Sequence, residues 1–193
     1  MAKKALEIRW HGRGGQGAKT AATFLAEAVM VAGKHSQGFP EYGPERRGAP
    51  VRGYTRIADE PIRRHCSIEH PDIVVVLDPS LLDSPSAGVT LGTTKETVFL
   101  VNTTISPEEI KAKLGVEGAL FGSVDASGIA KEEFGRPIPN TPMVGALVKA
   151  KEILSIDEIC NSLQIKFSKK FNQKVIDGNL RALKRAYEEM QAV

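Results

Sequence analysis

The stretch with the most chemical content is Gly12-Arg13-Gly14-Gly15-Gln16-Gly17. It contains GxGxxG and follows an apolar run from Leu6 to Trp10. It precedes residues 18–32, where Ala22, Leu25, Ala26, Val29 and Ala32 recur at helical spacing. Glycines allow a tight turn and let backbone come close to a phosphate, while the following helix start offers free N–H groups and the positive end of its dipole. Arg13 adds a fork of donors suited to the same charge. The expected chemistry is anion or phosphate binding; the competing reading is a turn that only packs a helix on a strand.

Several phosphate ligands fit such a turn. An NAD site calls for an acid about 20 positions on, where this chain reads Gly33-Lys34-His35-Ser36-Gln37. NAD is disfavoured, although Lys34 and His35 leave a 2′-phosphate, and so NADP, open. Gly12 and Gly17 have the separation of GxxxxGK[ST], and Lys19-Thr20 resembles its ending, but Ala18 occupies the lysine position. That moves Lys19 around the helix by roughly 100°. Asp78, closing the run from Ile73, imitates a magnesium-binding strand end and keeps an ATPase in view.

A second constellation is Glu45-Arg46-Arg47, with Arg52 further on, in a stretch from Pro40 to Gly53 punctuated by Pro40, Pro44 and Pro50. Prolines stiffen such a loop, and fixed guanidinium groups lose less entropy on gripping a phosphate or carboxylate than mobile lysines do. In a parallel α/β fold, loops leaving the C-terminal strand ends gather at one edge, so this loop is expected to meet the glycine turn. The alternative is a solvated patch or a subunit contact. His11, His35, His65 and His70 lack metal-ligand spacing, and no serine or cysteine pairs with a histidine as a nucleophile would require. No catalytic residue is assigned.

The elements that must hold these residues read in order. Leu6–Trp10 forms a strand, and the helix over 18–32 closes at Gly33. A short strand follows near His35 to Phe39. Val51–Ile57 and Ile62–Ile68, split by Ala58-Asp59-Glu60-Pro61, predict an antiparallel hairpin. Ile73–Leu77 and Val98–Val101 are unbroken β-branched and apolar runs, as in strands covered on both faces. Ser106-Pro107-Glu108-Glu109 carries a capping box, repeated by Ser155 and Glu158. A strand is expected at Leu120–Val124 and helices near 143–154, 155–163 and 170–191, the last with Ile176, Leu180, Leu183, Tyr187 and Met190 as a docking stripe. The expected class is α/β: a Rossmann-like, mostly parallel sheet with helices on both faces, a β-hairpin insertion and C-terminal helices at about 155–191. One domain spans residues 1–193, a length suited to one buried core.

Composition removes other classes. Net charge is +3 with lysine and arginine spread along the chain, and aromatic residues make up 6%, too few for a platform that stacks bases. Nucleic acid is therefore not expected. Cys66 and Cys160 stand alone, so neither a disulfide scaffold nor a four-cysteine cluster arises from this chain. No run approaches the roughly 20 apolar residues of a membrane span, and the start has no signal-like segment. A cytoplasmic setting is expected.

Two blocks carry a resemblance. Ile8 through Thr20 and Phe39 through Pro50, supported by Pro71-Asp72-Ile73 to Asp78, resemble the gamma subunits of 2-oxoacid:ferredoxin oxidoreductases, and the pyruvate branch in its four-subunit form most of all. The resemblance implies a subunit of an enzyme converting pyruvate, coenzyme A and oxidised ferredoxin to acetyl-CoA, carbon dioxide and reduced ferredoxin. The chain would be inactive alone. It implies alpha, beta and delta partners, with thiamine diphosphate, magnesium and 4Fe–4S clusters on those other subunits. Coenzyme A is the co-substrate assigned to the side of the gamma subunit. On that view Gly12, Arg13, Gly14, Gly15, Gln16, Gly17, Glu45, Arg46 and Arg47 are the candidate binding residues. The alternative is a stand-alone nucleotide-binding module, NADP-dependent or an ATPase.

Overall fold

The computed structural model describes residues 5–41 and 48–193. Strand β1 (Leu6–Arg13) leads through the glycine turn into helix α1 (Ala18–Val31). Strands β2 (His35–Pro40), β3 (Pro50–Ala58), β4 (Ile73–Val76), β5 (Val98–Asn102) and β6 (Leu120–Val124) follow, with helix α2 (Pro107–Leu114) between β5 and β6. Helices α3 (Ala126–Phe134), α4 (Asn140–Ala150), α5 (Ile156–Ser168) and α6 (Gln173–Glu189) come next, and a two-residue strand β7 (Gln191–Ala192) ends the series. Both expected capping boxes form. The Ser106 hydroxyl accepts from the Glu109 N–H and Ser155 from that of Glu158, while each glutamate carboxylate accepts from the serine N–H. These contacts satisfy helix-start donors that would otherwise have no partner.

The sheet order is β2-β3-β1-β4-β5-β6-β7. β1, β4, β5 and β6 are mutually parallel, whereas β3 runs antiparallel to both β1 and β2, and β7 antiparallel to β6. Ile8, Trp10, Ile73, Val75, Val98 and Leu100 face one core with residues of α1, α3, α4, α5 and α6. Val74, Val76, Phe99, Val101 and Phe121 face the other, with α2 and two short 3-10 turns over Pro79–Asp83 and Pro85–Ala87. The α/β class with helices on both faces is therefore as expected, and its layers are unequal.

The hairpin differs from expectation. β3 pairs with β2, not with Ile62–Ile68, which forms no strand. Because β3 is hydrogen-bonded on both edges, no edge is left for a third partner. Pro61 removes a donor at the start of the segment, and Arg63, Arg64 and His65 remain exposed. The segment instead covers the sheet: Ile68 is buried, the Ser67 carbonyl accepts from Arg56, and that of Ile62 accepts from Gln37. Helix α3 was not anticipated; Asp125 caps it by accepting from the Gly128 N–H at 2.8 Å. On α6, Ile176 and Leu183 of the expected stripe are buried, but Leu180, Tyr187 and Met190 are only partly so. Gly178, Asn179, Ala182 and Ala186 fill the contact instead. α4 comes so near that a Cβ on Gly145 would overlap the Leu183 carbonyl.

Candidate functional site

β1 delivers the glycine turn to the C-terminal edge of the parallel strands, and α1 begins directly behind it. Gly15 and Gly17 adopt φ of 99° and 84°, the left-handed region where side chains are disfavoured. A Cβ on Gly17 would also lie 2.6 Å from Asn140 Nδ2. The turn is held from below. Gln16 Oε1 accepts from the Arg13 N–H at 2.7 Å and Gln16 Nε2 donates to Asp78 at 2.6 Å. Arg13 donates to Ser80 Oγ at 2.8 Å and to the Gly48 carbonyl at 3.0 Å, with Asp78 3.4 Å from its Nε. The Gly14 N–H donates to the Ala49 carbonyl.

Asp78 organises this clamp. Burial alone would raise its pKa, but hydrogen bonds from Ser80 and Gln16, with the nearby Arg13 charge, hold the carboxyl below its ordinary value. Its oxygens are committed to Ser80, Gln16 and Arg13.

Above the turn lies a cleft of about 480 Å³ bordered by Arg13, Gly14, Gly15, Gly17, Ala18, Lys19, Thr20, Pro40, Glu41, Val51 and Arg52. Arg52 donates to the Ala87 carbonyl at 2.8 Å and sits 3.4 Å from Glu41, which also accepts from the Tyr54 hydroxyl at 3.0 Å. Behind Arg52 is a polar layer on a face of β1 and β3 closed from solvent. Arg9 donates to His11 Nε2 at 2.9 Å and to the carbonyls of Gly88, Val89 and Leu91. Burial first, then the charges of Arg9 and Arg52, push the His11 pKa well below its ordinary value, and the ring also hydrogen-bonds the Ala87 backbone. Since Nε2 accepts from Arg9, His11 is a neutral imidazole. Beside it Arg56 donates to Glu7 at 2.7 Å, both side chains buried.

Arg13, Gly14, Gly15 and Gly17 of the expected residues line the cleft. Gly12 is buried in β1, where a Cβ would lie 3.3 Å from the Ala18 methyl, and Gln16 turns toward Asp78. Glu45, Arg46 and Arg47 lie outside the described residues. Lys19, expected to turn away, borders the cleft together with Thr20. Arg52 and Glu41 border it because β2 ends and β3 begins beside the start of α1. Only Arg52 had a signal in the sequence, as the guanidinium following the proline loop. Lys34 and His35 sit at the beginning of β2, the far end of the sheet from the turn, with Lys34 4.0 Å from Asp59. They do not face a phosphate at the glycine turn. Among the described residues no three of His, Cys, Asp or Glu gather to hold a metal, and no helix is long and apolar enough to cross a membrane.

A glycine turn at the end of β1, where the sheet switches from parallel to antiparallel pairing, followed directly by α1, defines an α/β protein of Rossmann-like class. Residues 7–189 match the pyruvate ferredoxin/flavodoxin oxidoreductase family, and the chain belongs to it. It is 47% identical over 186 residues to the pyruvate/ketoisovalerate oxidoreductases common subunit gamma of Pyrococcus furiosus, covering 96% of this chain and 97% of that one. The crystal structure of pyruvate oxidoreductase subunit PORC from Thermotoga maritima aligns with a TM-score of 0.86 at 47% identity, covering 98% of this chain and 99% of that one. A 2-oxoglutarate:ferredoxin oxidoreductase from Magnetococcus marinus, with 2-oxoglutarate, coenzyme A and succinyl-CoA bound, aligns with a TM-score of 0.74 at 25% identity, over 96% of this chain and 31% of that one.

Proposed function

We propose that this chain is the gamma subunit of a pyruvate:ferredoxin oxidoreductase and that its cleft grips the phosphates of coenzyme A. The observation that carries the reading is the meeting of the Gly14-Gly15-Gly17 turn, the start of α1, Lys19 and Arg52 around one cleft. A diphosphate suits the N–H groups of a helix start, and a terminal phosphate suits guanidinium and ammonium groups. Such a grip would orient the thiol of coenzyme A toward a reaction centre on neighbouring subunits, where position governs rate. Arg46 and Arg47, with Glu45 before them in the chain, enter the same proposal from the sequence alone. Thiamine diphosphate, magnesium and iron–sulfur clusters would belong to the alpha, beta and delta partners, which also pass electrons to ferredoxin. Because the Pyrococcus furiosus relative is common to pyruvate and ketoisovalerate enzymes, the choice of 2-oxoacid is assigned to those partners.

The test uses the purified complex carrying Arg52→Ala or Lys19→Ala. A hydrogen bond to a charged group is worth about 1.5–3 kcal/mol, so the KM for coenzyme A should rise about ten- to a hundredfold while that for pyruvate stays put. Unchanged KM values for coenzyme A in both variants would overturn the reading.

A further inference from the structure

A second cleft, of about 570 Å³, opens on the helical face where α3, α5 and α6 meet the start of α4. Its floor is aromatic and aliphatic: Phe134, Ile138, Phe167, Phe171 and Val175. Phe167 and Phe171 pack with ring centroids 5.0 Å apart and planes tilted by 54°, and Phe171 remains 47% exposed. Arg136, Lys166 and Lys170 stand at its walls.

Charge here is strongly one-sided. Residues 159–176 include Lys166, Lys169, Lys170 and Lys174 and no acid. Lys166 reaches Glu27 at 2.6 Å. Among the described residues Arg136, Lys169, Lys170 and Lys174 form no ion pair, whereas Arg181 and Arg185, about two and three turns beyond Lys174 on α6, are neutralised by Glu132, Glu133 and Glu189. A cationic rim around an exposed aromatic floor has the composition of an interface centre with a charged margin.

The occupant is a polypeptide rather than a free phosphate. Two of the helix-start N–H groups here are already taken: Asn140 Oδ1 accepts from Thr141 N–H at 2.8 Å, and Asn172 Oδ1 from Val175 N–H at 3.1 Å. No glycine turn lines this cleft, in contrast to the one beside α1. The cations lining the cleft are two lysines on flexible stems, Lys166 and Lys170, and one arginine, Arg136.

We propose that this cleft docks an acidic segment of another subunit of the same enzyme, anchored by an apolar side chain seated on Phe167 and Phe171. The proposal rests on assembly into a complex and is independent of where coenzyme A binds. It is tested on the complete complex, with dissociation of this chain followed by mass photometry from 50 to 500 mM salt. The paired reversal Lys169→Glu with Lys170→Glu, at exposed positions, should raise the dissociation constant about thirtyfold at low salt and flatten its salt dependence. Phe171→Ser should raise it by a similar factor and leave the salt dependence in place. Thermal unfolding of each full-length variant chain should match the parent, which separates docking from folding. If both variants assemble as the parent does, no partner lies on this cleft. If they assemble normally while the KM for coenzyme A rises, the cleft takes a small anion instead, and the proposal is likewise overturned.

Discussion

Protonation of His11 has a calculable cost. The ring is 1% exposed, its Nε2 accepts from Arg9, and both Arg9 and Arg52 bear on it. Its pKa in the folded chain therefore lies well below the ordinary 6.5 that it regains on unfolding. The unfolded chain binds more protons below that value, so this group's contribution is present above about pH 6.5 and is lost as pH falls toward the folded pKa. Wherever the unfolded imidazole is protonated and the folded one is not, linkage lowers stability by up to about 1.4 kcal/mol per pH unit. The assay is urea unfolding of the full chain at half-unit pH steps, beside His11→Gln, which keeps an acceptor and a donor but cannot titrate. Below about pH 6.5 the parent should lose stability more steeply than the variant as pH falls, by up to about 1.4 kcal/mol per pH unit, whatever the variant's own stability. Parallel pH profiles for the two proteins would refute the reasoning. So would a gain in stability at low pH, since that would place the folded pKa above the unfolded one.

Two further outcomes follow from packing and charge. Leu183, fully buried where α6 meets α4, should cost roughly 2–5 kcal/mol as Leu183→Ala, read from chemical denaturation, and an unchanged midpoint would mean that the contact is idle. Asp78 has a lowered pKa in the folded chain, so its stabilising contribution is present above about pH 4 and lost as pH falls through the folded value. Asp78→Ala should free Gln16 and Arg13 and weaken binding of coenzyme A to the complex by isothermal titration; undiminished affinity would show that the clamp does not matter to the turn.

Much of the frame is legible in local sequence. The glycine turn, the serine capping boxes and the runs at Ile73 and Val98 each depend on residues within a turn or two of one another, and each forms where expected. The strand partner of β3 is not local. Val51–Ile57 alternates as a hairpin strand should, but which neighbour it takes is settled by two edges and by sequence separations that no short window contains. The stripe on α6 was legible only in part, because Gly178, Ala182 and Ala186, small residues that a search for large apolar side chains passes over, are buried where Leu180 and Tyr187 are only partly so. At the cleft, the glycine turn and Arg13 carry a signature, whereas Lys19 and Glu41 are there only because the ends of α1 and β2 coincide. The polar layer of Glu7, Arg9 and His11 alternates with Ile8 and Trp10, the pattern of a half-exposed strand. Burial comes from distant backbone, with Arg9 bonded to residues 88–91 and Arg56 to Ser67.

That layer also bears on how the chain finds its pairing during folding. Glu7 and Arg56 are opposite each other in the β1–β3 ladder, and their side chains meet in the dry interior at 2.7 Å. Apolar neighbours such as Ile8 and Val51 would tolerate a sliding strand, since one aliphatic contact replaces another. A shift of β3 by two residues keeps its faces but would set Glu7 against Tyr54 or Ala58 and leave both charges without a partner in a medium that penalises them heavily. The ion pair thus acts as an alignment key: it adds little to the depth of the native well and raises the floor of its nearest competitors. Swapping the two residues, Glu7 to Arg with Arg56 to Glu, should preserve that key, whereas either change alone should open the ladder to misregistered forms.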